Sequence, residues 1–143
     1  MTNVFLLRQL DEDLERRHDL PLTSYDALLH LAGAPRGRLR MTDLAKRVVI
    51  SPSGLTRVID RLEREGLVVR ERSDTDGRGF EAVLTKAGRK RYREAHRGHI
   101  QGVRELFLDR LTDAQLKQLR DVWVAVDPAL AEARYPPPGK SSG

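Results

Sequence analysis

The sequence predicts a mainly α fold with one small β-hairpin, an α+β chain, and three observations carry that prediction. The stretch from Ser51 to Val68 has the start, the stop and the two faces of a complete helix. The segments 67–72 and 80–84 then alternate apolar and polar residues around a turn-rich interval, as paired strands do. On either side, residues 3–17 and 86–126 return to the three-and-four spacing of amphipathic helices.

Each element follows from local chemistry. Asn3 to about Arg17 places Leu6, Leu7, Leu10 and Leu14 on one side and acids on the other. Leu20-Pro21-Leu22 interrupts it, because proline disfavours a helical residue before it. Thr23 or Ser24 is expected to cap a second helix through Tyr25, Leu28, Leu29 and Leu31 to Ala34. Pro35-Arg36-Gly37 is a turn and Arg38 to Met41 a short strand. Thr42 is expected to cap a third helix, Asp43 to Val49, with Leu44, Ala45 and Val48 inward. Ile50-Ser51-Pro52 leaves room only for a turn, so this helix and the next form a helix-turn-helix.

In the fourth helix Ser51 is the N-cap, Pro52 stands at the first helical position, and Gly66 closes it in a left-handed conformation. Leu55, Val58, Ile59 and Leu62 make its buried stripe. Ser53, Thr56, Arg57, Asp60, Arg61 and Arg64 lie opposite. Small hydroxyls near the helix start, with arginines behind them, suit a DNA major groove: the backbone approaches base edges while arginine reaches guanine or phosphate. Ser73-Asp74-Thr75-Asp76-Gly77-Arg78-Gly79 is the tip of the hairpin, with Arg78 placed to enter a minor groove. A hairpin directly after such a helix is a wing. Thr85 caps a long helix to about Arg110, and Thr112-Asp113-Ala114-Gln115 has the capping-box form that opens the last helix.

The whole is therefore a winged helix-turn-helix, with N- and C-terminal helices forming a homodimer interface. Those helices have more apolar positions than a lone winged domain covers, and a two-fold dimer spaces its recognition helices by about 34–36 Å, one DNA turn. The expected organisation is 1–22 as N-terminal dimerisation helix and linker, 23–88 as the DNA-binding domain, 89–134 as C-terminal dimerisation helices, and 135–143 as a disordered Pro/Gly/Ser tail.

Charge supports the DNA reading. The formal net charge of +5 is concentrated in residues 36–91, which carry 15 basic and 8 acidic side chains, against −3 for residues 1–35 and +1 for residues 92–143. Phosphate neutralisation is the main source of DNA affinity, so a basic excess around a groove-compatible helix is informative. The chain has 0 cysteines, which removes disulfides, thiolate metal sites and thiol-based redox sensing together. With no long apolar run and no positively charged leader before an apolar core, the expectation is a cytoplasmic protein without a membrane partner.

The residues also resemble a known family. Leu44-Ala45-Lys46-Arg47, Ser53-Gly54-Leu55-Thr56-Arg57, Asp60-Arg61-Leu62-Glu63-Arg64-Glu65-Gly66-Leu67-Val68, Arg70, Asp74-Thr75-Asp76-Gly77-Arg78 and Leu84-Thr85-Lys86-Ala87-Gly88-Arg89 are similar to the multiple-antibiotic-resistance regulator (MarR) family, in unbroken order over about residues 4 to 126. The resemblance implies a homodimeric repressor of transcription on a pseudo-palindromic, double-stranded operator. It assigns Ser53, Gly54, Thr56, Arg57, Arg61 and Arg78 to DNA contact, beside which Ser51 and Arg72 are further candidates, and Asp76 to orienting the wing through a neighbouring arginine. Gly77 departs from the family, which often has a second basic residue there. Family members commonly release DNA on binding a small aromatic or anionic effector beside the dimer helices, and Arg16, His18, Tyr25, His30, His96 and His99 are the candidates for holding it.

Narrower alternatives are a ligand-independent regulator, a protein-interaction module built on the same fold, and a metal-responsive regulator using His96 and His99 with His30 or Asp26. No cofactor is expected. An enzyme is not expected either, since no nucleophile–base set, carboxylate pair or phosphate-cradling loop stands out.

Overall fold

The structure is a computed structural model that describes residues 2–74 and 79–131. Asp76, Arg78 and the 135–143 tail lie outside these described residues. The chain divides into two compact units, Met1–Leu106 and Phe107–Gly143.

In the first unit, α1 (Thr2–His18) and α2 (Leu22–Gly33) precede a 3-10 turn at Pro35–Gly37 and the strand β1 (Arg38–Arg40). The helix-turn-helix is α3 (Met41–Val48) and α4 (Pro52–Arg64). The strands β2 (Val68–Arg72) and β3 (Phe80–Leu84) follow, and α5 (Lys86–Leu106) ends the unit. The sheet is three-stranded and antiparallel in the order β1-β3-β2, so the predicted hairpin gains β1 at its edge, with Arg38 opposite Val83 and Arg70 opposite Ala82.

The local signals for α4 act as their chemistry requires. The Ser51 hydroxyl accepts from the Gly54 amide at 3.1 Å, and Pro52 occupies the first helical position. Gly66, at φ +72°, reverses the chain, while the amides of Gly66 and Leu67 close on the carbonyls of Glu63 and Leu62, both at 2.9 Å. Leu55, Ile59 and Leu62 are at most 1% exposed and join Leu28, Leu31 and Leu44 in one core. Each such side chain contributes roughly 1.5–3 kcal/mol through burial.

Two predicted caps are replaced. α2 begins at Leu22, and neither Thr23 nor Ser24 caps it; Ser24 is buried. The Leu22 amide instead donates to the Asp11 carboxylate of α1 at 2.7 Å, a charged acceptor that only tertiary packing brings to that helix end. α3 begins at Met41 directly from β1, without a side-chain cap, and Thr42 is exposed. The long helix also stops earlier than expected, at Leu106, and Leu108–Arg110 forms a separate 3-10 turn.

The Leu84-Thr85-Lys86-Ala87-Gly88 motif is the joint between wing and α5. Thr85 accepts from the Gly88 amide at 3.0 Å, capping the helix, and donates to the Gly66 carbonyl at 2.7 Å. Gly88 passes so close to the Leu67 carbonyl oxygen that a Cβ there would stand 2.0 Å from it. Farther along α5, Gly98 and Gly102 lie one turn apart and let α1 approach: a Cβ on them would meet His18 Nε2 at 2.0 Å and Asp13 Oδ2 at 2.7 Å. α1 therefore serves two surfaces. Leu10 and Leu14 are buried within the unit, while Val4, Phe5 and Leu7 stay exposed.

The second unit carries α6 (Asp113–Val126), opened by the expected capping box of Thr112 and Gln115. Val122, Trp123 and Val126 are exposed on it. Among the described residues no helix is long and apolar enough to cross a membrane.

Candidate nucleic-acid interface

The exposed face of α4 is built from its first two turns. Ser51, Ser53, Thr56 and Arg57 are exposed, and Gly54 is half-buried against the cap. A Cβ on Gly54 would stand 3.1 Å from the Ser51 hydroxyl, so this position keeps the helix start slim. The Thr56 hydroxyl donates to the Pro52 carbonyl at 3.0 Å, so on this exposed residue the hydroxyl keeps only its acceptor capacity. Among the described residues Arg57 and Arg64 pair with no carboxylate. Arg72 is exposed at the far end of β2, opposite Phe80.

Arg61 is turned elsewhere. It is half-buried, with its Nε on Glu65 at 3.1 Å and a terminal nitrogen 3.4 Å from the Asp19 carbonyl in the α1–α2 connection. Its grouping with the groove-facing residues came from helical spacing, which places it at the border between the exposed and buried faces. The Asp19 carbonyl that draws it inward lies far away in the sequence. Arg70, to which the sequence attached no role, reaches across from β2. Its amide donates to Glu63 at 2.9 Å, and its guanidinium meets Glu63, Asp60 at 2.6 Å and the Thr56 carbonyl at 3.3 Å.

The effector candidates fall into three groups. Tyr25 of α2 meets His96 and His99 of α5: its hydroxyl and His96 Nδ1 are hydrogen-bonded at 2.8 Å, and its ring lies 4.7 Å from that of His99. Tyr92, not foreseen as part of this group, stacks on Tyr25 at 6.1 Å and lies 5.3 Å from His96. Its place one turn before His96 on α5 was the available signal. Burial, and then His96, push the His99 imidazole below its ordinary 6.5, with Asp13 acting in the opposite direction. Among the described residues the buried His99 Nδ1 has no hydrogen-bond partner.

Arg16 and His18 form a second group at the end of α1, where the buried Asp13 accepts from Arg16 and from Arg17, the latter at 2.9 Å, and His18 lies against Gly98. Asp13 was legible only as one acid of an amphipathic helix; its burial comes from Gly102. An open depression of about 420 Å³ is lined here by Glu15, Arg16, Arg17, His18, Asp19, Arg91 and Glu94. Arg91 donates to the His18 carbonyl at 2.5 Å. His30 stands apart from both groups, beside Asp26, whose carboxyl burial holds above its ordinary value against the opposing pull of that histidine. Among the described residues no three histidine or acidic side chains converge as a metal site, so the set His96, His99 and His30 or Asp26 is not assembled.

A capped recognition helix, a scaffold helix before it and a wing after it define a winged helix-turn-helix protein. The MarR family model matches residues 18–79. A MarR family transcriptional regulator from Streptomyces coelicolor, solved in complex with DNA, is 40% identical, with a TM-score of 0.78 over 90% of this chain and 83% of that one. Wild-type MarR from E. coli in its apo form is 26% identical, with a TM-score of 0.76 over 88% of this chain and 90% of that one. The HTH-type transcriptional repressor YetL of Bacillus subtilis is 32% identical over 102 residues, 69% of this chain and 61% of the relative. The chain thus spans roughly half to three-fifths of the first curated relatives it matches. The chain belongs to the MarR family.

Proposed function

We propose that the chain is a sequence-specific, double-stranded-DNA-binding regulator of transcription that acts as a dimeric repressor and is released by a small aromatic or anionic ligand. The observation that carries this reading is the exposed face of α4. Its first two turns present Ser53, Thr56 and Arg57, which pairs with no carboxylate among the described residues, and Asp60 and Glu63 further along are held by Arg70. That surface attracts phosphate and offers hydroxyl and guanidinium groups to base edges. The name of YetL and the DNA complex of the Streptomyces regulator support it.

In this reading Ser51, Ser53, Gly54, Thr56 and Arg57 meet the major groove or its phosphates, and Arg72 the adjoining backbone. Arg78 at the wing tip enters the minor groove, and Asp76 orients the tip. Arg61 supports the helix from behind. A second copy covers Val4, Phe5 and Leu7 of the first unit and Val122, Trp123 and Val126 of the second, since side chains of this size are rarely left exposed in contiguous groups. The effector lies against Tyr92, His96 and His99, which are only half-buried, where a ring stacks and an imidazole meets an anion.

A mobility shift with the DNA upstream of the protein's own gene tests the proposal. Retardation that is reversed by one member of a panel of phenolic acids is the expected result. Retardation that none of them reverses overturns the effector half, and either failure to retard that DNA or equal retardation of unrelated DNA overturns the operator half.

A further inference from the structure

We infer that Arg70 is a positioning residue for DNA binding: it occupies the carboxylates of Asp60 and Glu63, which leaves Arg57 and Arg64 free for the nucleic acid, and it sets the angle of the wing against α4. The inference rests on the DNA-binding reading and adds a role for a residue that does not itself touch DNA.

The geometry has two parts. Thr56, Asp60 and Glu63 are spaced at i, i+4 and i+7, one ridge of α4, and the Arg70 guanidinium meets an oxygen of each of them. Its own amide adds a fourth contact to Glu63. A planar fork with several donors suits this arrangement, and a lysine ammonium does not span it. β2 is thereby tied along the ridge, and with it the strand that leads into the wing.

The second part is competition. Asp60 stands three residues after Arg57 and four before Arg64, the two spacings at which acid and base pair on a helix surface. Without Arg70, both arginines have an intrahelical carboxylate within reach, and two negative charges face the phosphates. With Arg70 in place, which is 23% exposed against 49% for Asp60, the carboxylates are engaged from the wing side and the outward arginines pair with no carboxylate among the described residues.

The test compares the unsubstituted protein, Arg70→Met, and Arg70→Met combined with Asp60→Asn and Glu63→Gln. Each is measured for affinity to the upstream DNA at several salt concentrations and for amide exchange without DNA. Arg70→Met is expected to weaken binding at least tenfold at low salt, by a factor that shrinks as salt screens the carboxylates. Neutralising both carboxylates is expected to recover binding to within about threefold of the parent, because the charges that oppose the phosphates and compete for the arginines are then gone. Exchange in residues 68–72 and 80–84 is expected to quicken in both variants.

A loss that is equal at all salt concentrations and is not rescued overturns the competition argument and leaves only a packing role. Unchanged exchange in both variants overturns the positioning argument. If the parent protein fails to bind the DNA, the DNA-binding reading falls with the competition argument, and the exchange arm still decides the positioning one.

Discussion

His99 shows how one side chain can tie this fold to pH. Its ring is half-buried, touches Tyr25, and has a nitrogen with no partner among the described residues. The groups facing it are Asp13 from α1, Tyr25 from α2 and His96 from its own helix; burial and His96 together outweigh the acid, so the imidazole sits below 6.5. The folded state then binds fewer protons than the unfolded state just below that value. Stability contributed by neutral His99 is present above pH 6.5 and is lost as pH falls through 6.5 toward the lower folded value. Urea midpoints are accordingly expected to drop between pH 7.5 and 5.5, and to drop less in His99→Gln. An NMR titration that places the folded His99 at or above 6.5 contradicts the assignment.

At the scale of elements, the joint between wing and α5 has the tightest constraint. A methyl group on Gly88 would lie 2.0 Å from the Leu67 carbonyl oxygen and 2.7 Å from Leu84 Cδ1, and a backbone oxygen held in a sheet-to-helix joint cannot step aside cheaply. Gly88→Ala should therefore cost about 1–3 kcal/mol, read as a lower urea midpoint at unchanged slope. Gly33→Ala is the control. Nothing lies within 4 Å of a Cβ there, and alanine's better helix propensity is worth up to about 1 kcal/mol in the opposite direction.

The elements also show what was legible in advance. Ser51, Pro52 and Gly66 are adjacent to the helix they delimit, so α4 could be read in full. The caps of α2 and α3 could not. Asp11 lies eleven residues from the amide it accepts from, and α3 is started by the strand running into it. Spacing alone likewise put Arg61 on the exposed face, whereas the Asp19 carbonyl that draws it inward belongs to a distant turn. Arg70 could be quoted as part of the family resemblance but given no role for the same reason, because its partners are on another element.

At the scale of the whole molecule, the charge asymmetry read from the sequence, +7 in residues 36–91, agrees with the surface that the fold builds from them. Arg57 and Arg72 are exposed there, while Arg38, Arg61 and Arg70 are consumed by ion pairs with Glu71, Glu65, Glu63 and Asp60. Net charge alone could not make that distinction. What matters for phosphate is the subset left unpaired. The aromatic group of Tyr25, Tyr92, His96 and His99 was only partly foreseen, because it joins α2 to α5 across about seventy residues of sequence.

The central claim is that the exposed cations of this surface bind DNA, and the dependence of operator affinity on salt measures it most directly. For the parent protein, the logarithm of the affinity should fall linearly and steeply with the logarithm of salt concentration, by about 0.9 per phosphate neutralised. Arg57→Ala should bind about five- to a hundredfold more weakly, with a slope smaller by about 1 if that arginine meets a phosphate. A flat salt dependence in the parent, or an Arg57→Ala protein with unchanged affinity and slope, would contradict the account.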